Sequence, residues 1–413
     1  MSDFTHLAIS ASDESKGLVH KMREIVDGKV EMETNSNKDL LNISIGDPTF
    51  FGNLPVHQVM KEAVKEVVDS DNFNGYGPAH GLLCARQAVA KHYTTPEAPL
   101  TEDDIIITCG CAGAIEYCFT VFGNSGQNIL VPSPIHPLDC CVTASRGLKL
   151  KFYQLLPDRQ WEADVDQMDQ LIDTDTVAIV VVNPSNPCGS VYSKQHLLDI
   201  LAVAEKHSLP IIADEIYSDL VFKGQHSYPI ATLSKNVPIL SCGGMAKKYL
   251  VPGWRVGWIL IHDRHDRFKK EVVPSLIKVS RKSLGITTLV QAALPKILDT
   301  VPKSYYENIM SLVEANANIA YGELSVVGGL TPVMPSGALY MMVGVELSKF
   351  PHINTTVEFM KKLMSEESVY IMCGECFRFP GFIRLVLLIP NDKMKLACDR
   401  IREFCGRHYV ECI

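Results

Sequence analysis

Residues 177–190 read VAIVVVNPSNPCGS, an apolar and largely β-branched run that stops at two Asn-Pro pairs. Such a run is typical of a strand that is buried on both faces of a parallel sheet. A second run, PIIADEIY at residues 210–217, has the same character, and the segment 196–207 between them shows the three- and four-residue apolar spacing of an amphipathic helix. This order of strand, helix and strand predicts an α/β fold with a parallel sheet.

Five further short apolar runs extend the predicted sheet. They are residues 105–108, 128–132, 151–156, 238–242 and 255–261. Together with the first two runs, they predict a mostly parallel seven-stranded sheet sandwiched by helices. We assign this sheet to a large domain at residues 70–310.

Both ends of the chain differ from this centre. Residues 1–69 include a predicted helix around 19–26, and residues 311–413 alternate predicted strands with predicted helices. The C-terminal strands are expected at 338–346 and 382–390, and the helices at 357–366 and 393–408. We expect the two ends to combine into one smaller α+β domain.

Composition and charge narrow the possible partners. No stretch approaches the roughly 18 consecutive apolar residues that a membrane span needs. Lysine and arginine (39) are outnumbered by aspartate and glutamate (47), and no dense basic block occurs, so nucleic acid is not an expected partner. Residues 1–17 mix charged and hydroxyl side chains where a secretory signal has an apolar core. A cytoplasmic location is expected, and a mitochondrial one stays open.

The thirteen cysteines raise the alternative of a metal site. Cys373 and Cys376 have the spacing of a zinc or redox pair, but zinc would need a second pair with matching spacing. Neither 109/111 nor 140/141 provides one. We expect reduced thiols and no metal, because free cysteine packs as a small apolar residue.

Chemically useful side chains follow the predicted strands. Asn186 lies in the turn after strand 177–182, Asp214 ends strand 210–214, and Tyr217 follows three residues later. Lys247 follows strand 238–242 and precedes Arg255 by eight residues. Because reactive groups collect at the carboxyl ends of parallel strands, we expect these side chains to converge, although the Asn-Pro turn taken alone is equally well a plain loop.

Strand 105–108 runs into CGCAGAIE, a glycine-containing turn at a predicted helix start. Unsatisfied amides and the helix dipole attract phosphate at such a position. A carboxylate, a tyrosine, an amide, a lysine, an arginine and a phosphate-binding turn together indicate a pyridoxal phosphate site.

Motifs along nearly the whole chain carry a family resemblance. They are SIGDPTFFGNLP at 44–55, NGYGPAHG at 74–81, NPSNPCGS at 183–190, CGGMAKKYLVPGWRVGW at 242–258 and MPSGALYMMVG at 334–344. On these motifs the chain resembles the fold-type-I aminotransferases, and within them the tyrosine aminotransferase family. The resemblance implies a homodimer that uses pyridoxal 5'-phosphate in tyrosine catabolism. The implied reaction transfers the amino group of tyrosine, or of another aromatic or large apolar amino acid, to 2-oxoglutarate, giving 4-hydroxyphenylpyruvate and glutamate.

The same resemblance assigns roles to residues. Lys247 would hold the cofactor covalently and move a proton during the reaction, Asp214 would bind the pyridine nitrogen, and Asn186 and Tyr217 would bind the 3' oxygen. Lys248 is the competing lysine, but the spacing to Arg255 matches the family only from Lys247. The other implied cofactor contacts are Gly110, Cys111, Ala112 and Arg255 at the phosphate, His136 against the ring, and Tyr76 from the other subunit.

For the substrate, the resemblance places Arg384 at the α-carboxylate, with help from Asn186 and from the amide of Gly46. A surface arginine at a strand end is the alternative. Lys282 falls roughly where related enzymes bind a distal carboxylate, and a solvated charge is the alternative there.

Two other functions remain open. One is a pyridoxal phosphate lyase that acts on a sulfur amino acid. The other is a catalytically silent binding protein of the same fold. His136, in place of the family's usual aromatic ring, and Cys109 and Cys111, in place of hydroxyl residues, favour the silent protein, whereas Lys247 argues against it.

Overall fold

The structure is a computed structural model, which describes residues 10–16, 22, 24, 33–137, 143 and 147–411. The helix predicted around 19–26 lies almost entirely outside the described residues. The strands are β1 (Leu41–Asn42), β2 (Ile105–Cys109), β3 (Asn128–Ser133), β4 (Lys149–Leu156), β5 (Glu162–Ala163), β6 (Thr176–Val182), β7 (Ile211–Asp214), β8 (Ile239–Gly244), β9 (Val256–His262), β10 (Leu330–Pro332), β11 (Tyr340–Val345), β12 (Val369–Tyr370), β13 (Met372–Cys373) and β14 (Phe382–Val386).

The helices of the described residues connect and cover these strands. They are α1 (Asp13–Lys16), α2 (Gln58–Asp69), α3 (Leu83–Tyr93), α4 (Gly110–Phe122), α5 (Val165–Leu171), α6 (Lys194–Lys206), α7 (Ile230–Leu233), α8 (Val272–Ser280), α9 (Thr288–Thr300), α10 (Lys303–Leu324), α11 (Thr356–Glu367) and α12 (Asn391–His408). The helices predicted at 357–366 and 393–408 correspond to α11 and α12.

The large sheet has the strand order β2-β9-β8-β7-β6-β3-β4-β5. Its five central strands, from β8 to β4, run parallel to one another, and the remaining pairs are antiparallel. All seven predicted runs form strands of this sheet. The predicted count of seven is short by one, because β5 has only two residues and pairs with the end of β4. A two-residue strand leaves no apolar run in the sequence.

The register of the central strands brings their carboxyl ends together. Val182 at the end of β6 is opposite Asp214 at the end of β7, and Asp214 is opposite Cys242 in β8. The strands pack tightly because Ile179, Ile212 and other β-branched residues on them are fully buried. This alignment places the polar residues that follow each strand at one edge of the sheet.

A smaller unit contains the antiparallel sheet β10-β11-β14-β13. The N-terminal part joins it through β1, which pairs in parallel with β12, and through Arg400, whose Nη1 donates to the carbonyl of Asp39 at 2.7 Å. The domain limits 1–69, 70–310 and 311–413 stay a prediction. Met60 and Ala63 of α2 fall within the predicted segment 1–69, yet they pack in one hydrophobic cluster with Trp258 of the large sheet.

In the part of the chain that the structure describes, no helix is long and apolar enough to cross a membrane. No group of three or more His, Cys, Asp or Glu side chains among these residues could hold a metal ion. The described cysteines are free thiols.

Candidate active site

A cavity of about 170 Å³ lies at the carboxyl ends of β6, β7 and β8, where the small unit packs against the large sheet. We call it the active-site cavity. Among the residues that line it, those predicted from the sequence are Gly46, Cys111, Ala112, His136, Asn186, Asp214, Tyr217, Lys247 and Arg384. Residues from seven separate stretches of the sequence therefore converge on one space.

Asp214 presents its carboxylate to this cavity from the end of β7. The Cys111 thiol donates to its Oδ1 at 3.4 Å, and the Ile216 amide donates to the same atom at 3.2 Å. Enclosure by the protein raises the pKa of this carboxyl above its ordinary value, although both donors and the nearby Lys247 cation favour the ionised form. A cationic ring N–H would therefore be a favourable partner.

The two consecutive lysines have different surroundings. Lys247 lines the active-site cavity, and its Nζ donates to the carbonyl of Gly46 at 3.1 Å. Lys248 Nζ pairs instead with Asp219 Oδ2 at 2.7 Å and lies 4.9 Å from the centre of the Tyr306 ring. The structure therefore brings the amine of Lys247, and not that of Lys248, into the cavity.

Arg384 is 2% exposed and lies in β14, so it is not a surface arginine. Its Nη1 donates to Asn186 Oδ1 at 2.9 Å, and its Nη2 donates to the carbonyl of Ser44 at 2.5 Å. Its Nε has no hydrogen-bond acceptor among the described residues. A guanidinium has five N–H donors, so this buried cation keeps donors for a carboxylate that enters the cavity.

A second cationic group, the Arg255 guanidinium, lies beside Gly110 at the start of α4. Gly110 has φ +68°, and a Cβ at this position would lie 2.6 Å from Arg255 Nη2. Arg255 is held by bonds from Nη1 to the carbonyl of Pro252 at 2.9 Å and from Nη2 to that of Cys109 at 3.2 Å. The glycine thus admits a guanidinium to a helix N-terminus, which is a favourable place for phosphate.

Comparison with known proteins agrees with this arrangement. Residues 38–401 match the family described as aminotransferase class I and II. The chain belongs to this aminotransferase family. The aminotransferase is 49% identical over 401 residues to tyrosine aminotransferase of Mus musculus, covering 97% of this chain and 88% of the mouse protein. It is 44% identical to tyrosine aminotransferase of Dictyostelium discoideum, covering 97% of each.

A solved structure extends the likeness to three dimensions. The crystal structure of tyrosine aminotransferase from Leishmania infantum superposes with a TM-score of 0.94 at 33% identity, covering 98% of this chain and 100% of that chain. The fold-type-I architecture predicted from the motifs is therefore confirmed.

Four predicted site residues of the aminotransferase do not line the cavity of their own chain. Gly110 and Arg255 lie beside each other at the start of α4, whereas the other two are on the surface. Tyr76 is 92% exposed in the loop between α2 and α3, and Lys282 is exposed in the short turn Arg281–Ser283. Their predicted contacts, with a phosphate in the other subunit and with a distal carboxylate, stay predictions.

Three contributors to the site were not predicted as site residues. They are Ser44, Tyr340 and Phe377, all of which contact Arg384. Tyr340 also places its hydroxyl 2.9 Å from that of Tyr217. An aromatic residue in an apolar strand is typical of a core position, so the local sequence pattern does not point to this contact. The one hint was a phenol, which needs a polar partner, at the start of a buried strand.

Proposed function

We propose that the protein transfers the amino group of tyrosine, and of other aromatic or large apolar amino acids, to 2-oxoglutarate, with pyridoxal phosphate as cofactor. The observation that carries this proposal is one cavity that contains an amine, Lys247, a carboxylate, Asp214, and an enclosed guanidinium, Arg384. The relatives named tyrosine aminotransferase support the aromatic substrate.

The donor set fits pyridoxal phosphate. The Lys247 amine suits its aldehyde, the Asp214 carboxylate suits its ring nitrogen, and the Tyr217 hydroxyl suits its 3' oxygen. The start of α4, where Gly110 leaves room for the Arg255 guanidinium, suits its phosphate. When bound, pyridoxal phosphate supplies an aldehyde that takes up the amino group and a ring that withdraws electrons from the substrate Cα.

Lys247 is the residue that moves the proton in this proposal. Its Nζ donates to a carbonyl, that of Gly46, and not to a carboxylate, so the amine is not held in an ion pair. An amine in this position can remove a proton from the substrate Cα and return it elsewhere on the reacting atoms. The Asp214 carboxylate would accept a hydrogen bond from the protonated ring nitrogen of the cofactor and would thereby keep that nitrogen protonated.

Arg384 orients the substrate. Its remaining N–H donors bind the α-carboxylate, and Asn186 and Ser44 hold the guanidinium from two sides. Ile45, Ile135 and Ile216 supply apolar lining, which excludes water and gives a tyrosine ring a surface to pack against. His136, also in the lining, is proposed to cover the cofactor ring.

We also propose a homodimer in the cytoplasm. A dimer would let the exposed Tyr76 of one chain reach the phosphate site of the other. The free thiols of the described cysteines suit a reducing compartment. Sedimentation velocity and cell fractionation test these two statements.

The test of the reaction is an assay with purified protein, pyridoxal phosphate, 2-oxoglutarate and one amino acid at a time. We expect tyrosine to give glutamate and 4-hydroxyphenylpyruvate, and aspartate to be a poor donor. Release of ammonia from a sulfur amino acid without glutamate would indicate a lyase instead. No turnover with any donor, despite bound cofactor, would indicate a silent protein, and aspartate preferred over tyrosine would overturn the substrate.

A further inference from the structure

Tyr340 lines the active-site cavity and has no role in the reaction as proposed above. The residue is 2% exposed. Its hydroxyl lies 2.9 Å from the Tyr217 hydroxyl, and its ring centre lies 4.4 Å from the guanidinium carbon of Arg384. One side chain therefore contacts both a cofactor-binding tyrosine and the carboxylate-binding arginine.

The strand register explains why Tyr340 and Arg384 meet. Tyr340 begins β11 and is opposite Val386 of β14, whereas Arg384 lies two residues earlier in β14. Residues two apart on a strand share a face, so Tyr340 and Arg384 are diagonal neighbours on one side of the sheet. Phe377 covers the same guanidinium, with its ring centre 4.6 Å away. The two rings fix the plane of the guanidinium, which decides how a carboxylate can bind it.

Gly46 leaves space for the Tyr340 hydroxyl. A Cβ at position 46 would collide with that hydroxyl, and φ of this glycine is not positive, so space and not backbone strain requires the glycine. The Lys247 amine, which donates to the Gly46 carbonyl, is within hydrogen-bonding reach of the same hydroxyl. Tyr340, Gly46 and Lys247 thus form one contact group.

The charges around Tyr340 agree with this geometry. Burial alone would raise the pKa of the phenol, but the Lys247 and Arg384 cations and the hydrogen bond with Tyr217 bring it below its ordinary value. The pKa of Tyr217, in contrast, is raised far above its ordinary value, mainly by burial. Of the two phenols, Tyr340 is therefore the one that the Lys247 and Arg384 cations stabilise in its ionised form.

We propose that Tyr340 is a positioning residue that acts through two parts of its side chain, the ring and the hydroxyl. Its ring holds the Arg384 guanidinium in the orientation that accepts the substrate carboxylate, and its hydroxyl holds the Lys247 amine and the Tyr217 hydroxyl in place. The inference rests on the proposed function, because it assumes a carboxylate at Arg384 and proton movement at Lys247.

The test separates the two parts with two substitutions. Tyr340→Phe removes the hydroxyl and keeps the ring, and Tyr340→Leu removes both. The control is Tyr153→Phe, which removes another buried hydroxyl whose bond goes to the carbonyl of Val180 at 2.8 Å, away from the cavity. Affinity for 3-(4-hydroxyphenyl)propanoate, a carboxylate that cannot transaminate, is measured by calorimetry, and kcat and KM are measured with tyrosine.

We expect Tyr340→Phe to bind the propanoate within twofold of the unmodified protein and to lose about tenfold in kcat. Tyr340→Leu should also bind the propanoate about tenfold more weakly, and Tyr153→Phe should match the unmodified protein in both. An unchanged kcat in Tyr340→Phe, or unchanged binding in Tyr340→Leu, overturns the corresponding part of the proposal.

Two further results keep the test decisive. If Tyr340→Leu does not fold, Phe377→Leu replaces it, because Phe377 covers the same guanidinium, and unchanged propanoate binding would then overturn the role of the rings. If the unmodified protein binds the propanoate but does not transaminate tyrosine, the proposed function fails, while the binding data still test the support of Arg384.

Discussion

The strand ends of the large sheet separate two cavities that differ in how their charges are satisfied. The active-site cavity contains Asp214 and Lys247. A second cavity of about 200 Å³, which we call the rear cavity, contains the residues that follow these two in the sequence, Glu215 and Lys248. Its lining also includes Ser241, Trp258 and His262. Two consecutive carboxylates and two consecutive lysines are thus divided between the two cavities.

The rear cavity satisfies its charged groups internally. Lys248 pairs with Asp219 at 2.7 Å, and Glu215 accepts the Ile230 amide at 2.9 Å. In the active-site cavity, Lys247 donates to the carbonyl of Gly46 and forms no ion pair with the described residues, and Arg384 keeps an unused Nε–H. A buried charged group with an unused donor destabilises the fold, so its presence points to a ligand of opposite charge. Unsatisfied charge, and not charge alone, distinguishes the functional cavity.

The largest expected difference between the cavities concerns the two lysines. Lys247→Ala should lower kcat by about 1000-fold or more, because in the proposed mechanism this one amine both holds the cofactor and moves the proton. Lys248→Ala should keep turnover and the visible absorbance of bound cofactor, because it loses the pair with Asp219 and the contact with the Tyr306 ring, both outside the active-site cavity. Stopped-flow assays and absorbance spectra measure both. Loss of the absorbance in Lys248→Ala with retention in Lys247→Ala would show that the wrong lysine was chosen.

Substitution of the two carboxylates should also affect turnover only in the active-site cavity. Asp214→Asn should lower kcat with tyrosine by about 100-fold, because a neutral amide cannot stabilise a protonated ring nitrogen. Glu215→Gln, one residue further along and facing the rear cavity, should stay within threefold of the unmodified protein. Steady-state kinetics at saturating cofactor decides this. Equal losses in the two variants would mean that the rear cavity participates in the reaction.

A mixing experiment tests whether the active-site cavity is completed by a second chain. Lys247→Ala and Tyr76→Ala should each be strongly impaired. In a mixed dimer, the Tyr76 of the first variant and the Lys247 of the second meet in one intact site. Random exchange of subunits should therefore restore about a quarter of the unmodified activity, since half of the dimers are mixed and each has one intact site of two. A mixture no more active than its components would contradict the predicted contact of Tyr76.

Glu215 also predicts how stability depends on pH. Burial raises the pKa of Glu215 to about 7 from an ordinary 4.5, so between these values the folded chain binds more protons than the unfolded chain. The free energy of unfolding should fall as pH rises through this range, by up to about 3 kcal/mol from this group. Urea unfolding at pH 5 and pH 8 should show that Glu215→Gln removes this decrease. Glu62→Gln, an exposed control on α2, should leave it unchanged.

The sequence predicted the large sheet well, because fully buried strands such as β6 leave continuous apolar runs. It also predicted which strand ends meet, since the alignment of Val182 with Asp214 follows from parallel pairing. The contact of Tyr340 with Arg384 could not be predicted in this way. It depends on the register of two antiparallel strands more than 35 residues apart and on the packing of the small unit against the large sheet. The roles of Arg384 and Gly46 came from family resemblance alone.

The smallest expected effect concerns Lys282, which lines neither of the two cavities. Its side chain is exposed and does not line the cavity of its own chain, and its predicted role is to reach the substrate. If it does so, its point charge binds the distal carboxylate of 2-oxoglutarate less selectively than an arginine fork would. Lys282→Ala should then weaken 2-oxoglutarate by about 1–3 kcal/mol and leave the KM for tyrosine unchanged, because tyrosine has no distal carboxylate. Lys278→Ala, an exposed lysine on the preceding helix α8, is the control and should change neither value. Unchanged 2-oxoglutarate kinetics in Lys282→Ala would remove this residue from the substrate site, and an equal loss in Lys278→Ala would assign the effect to general surface charge.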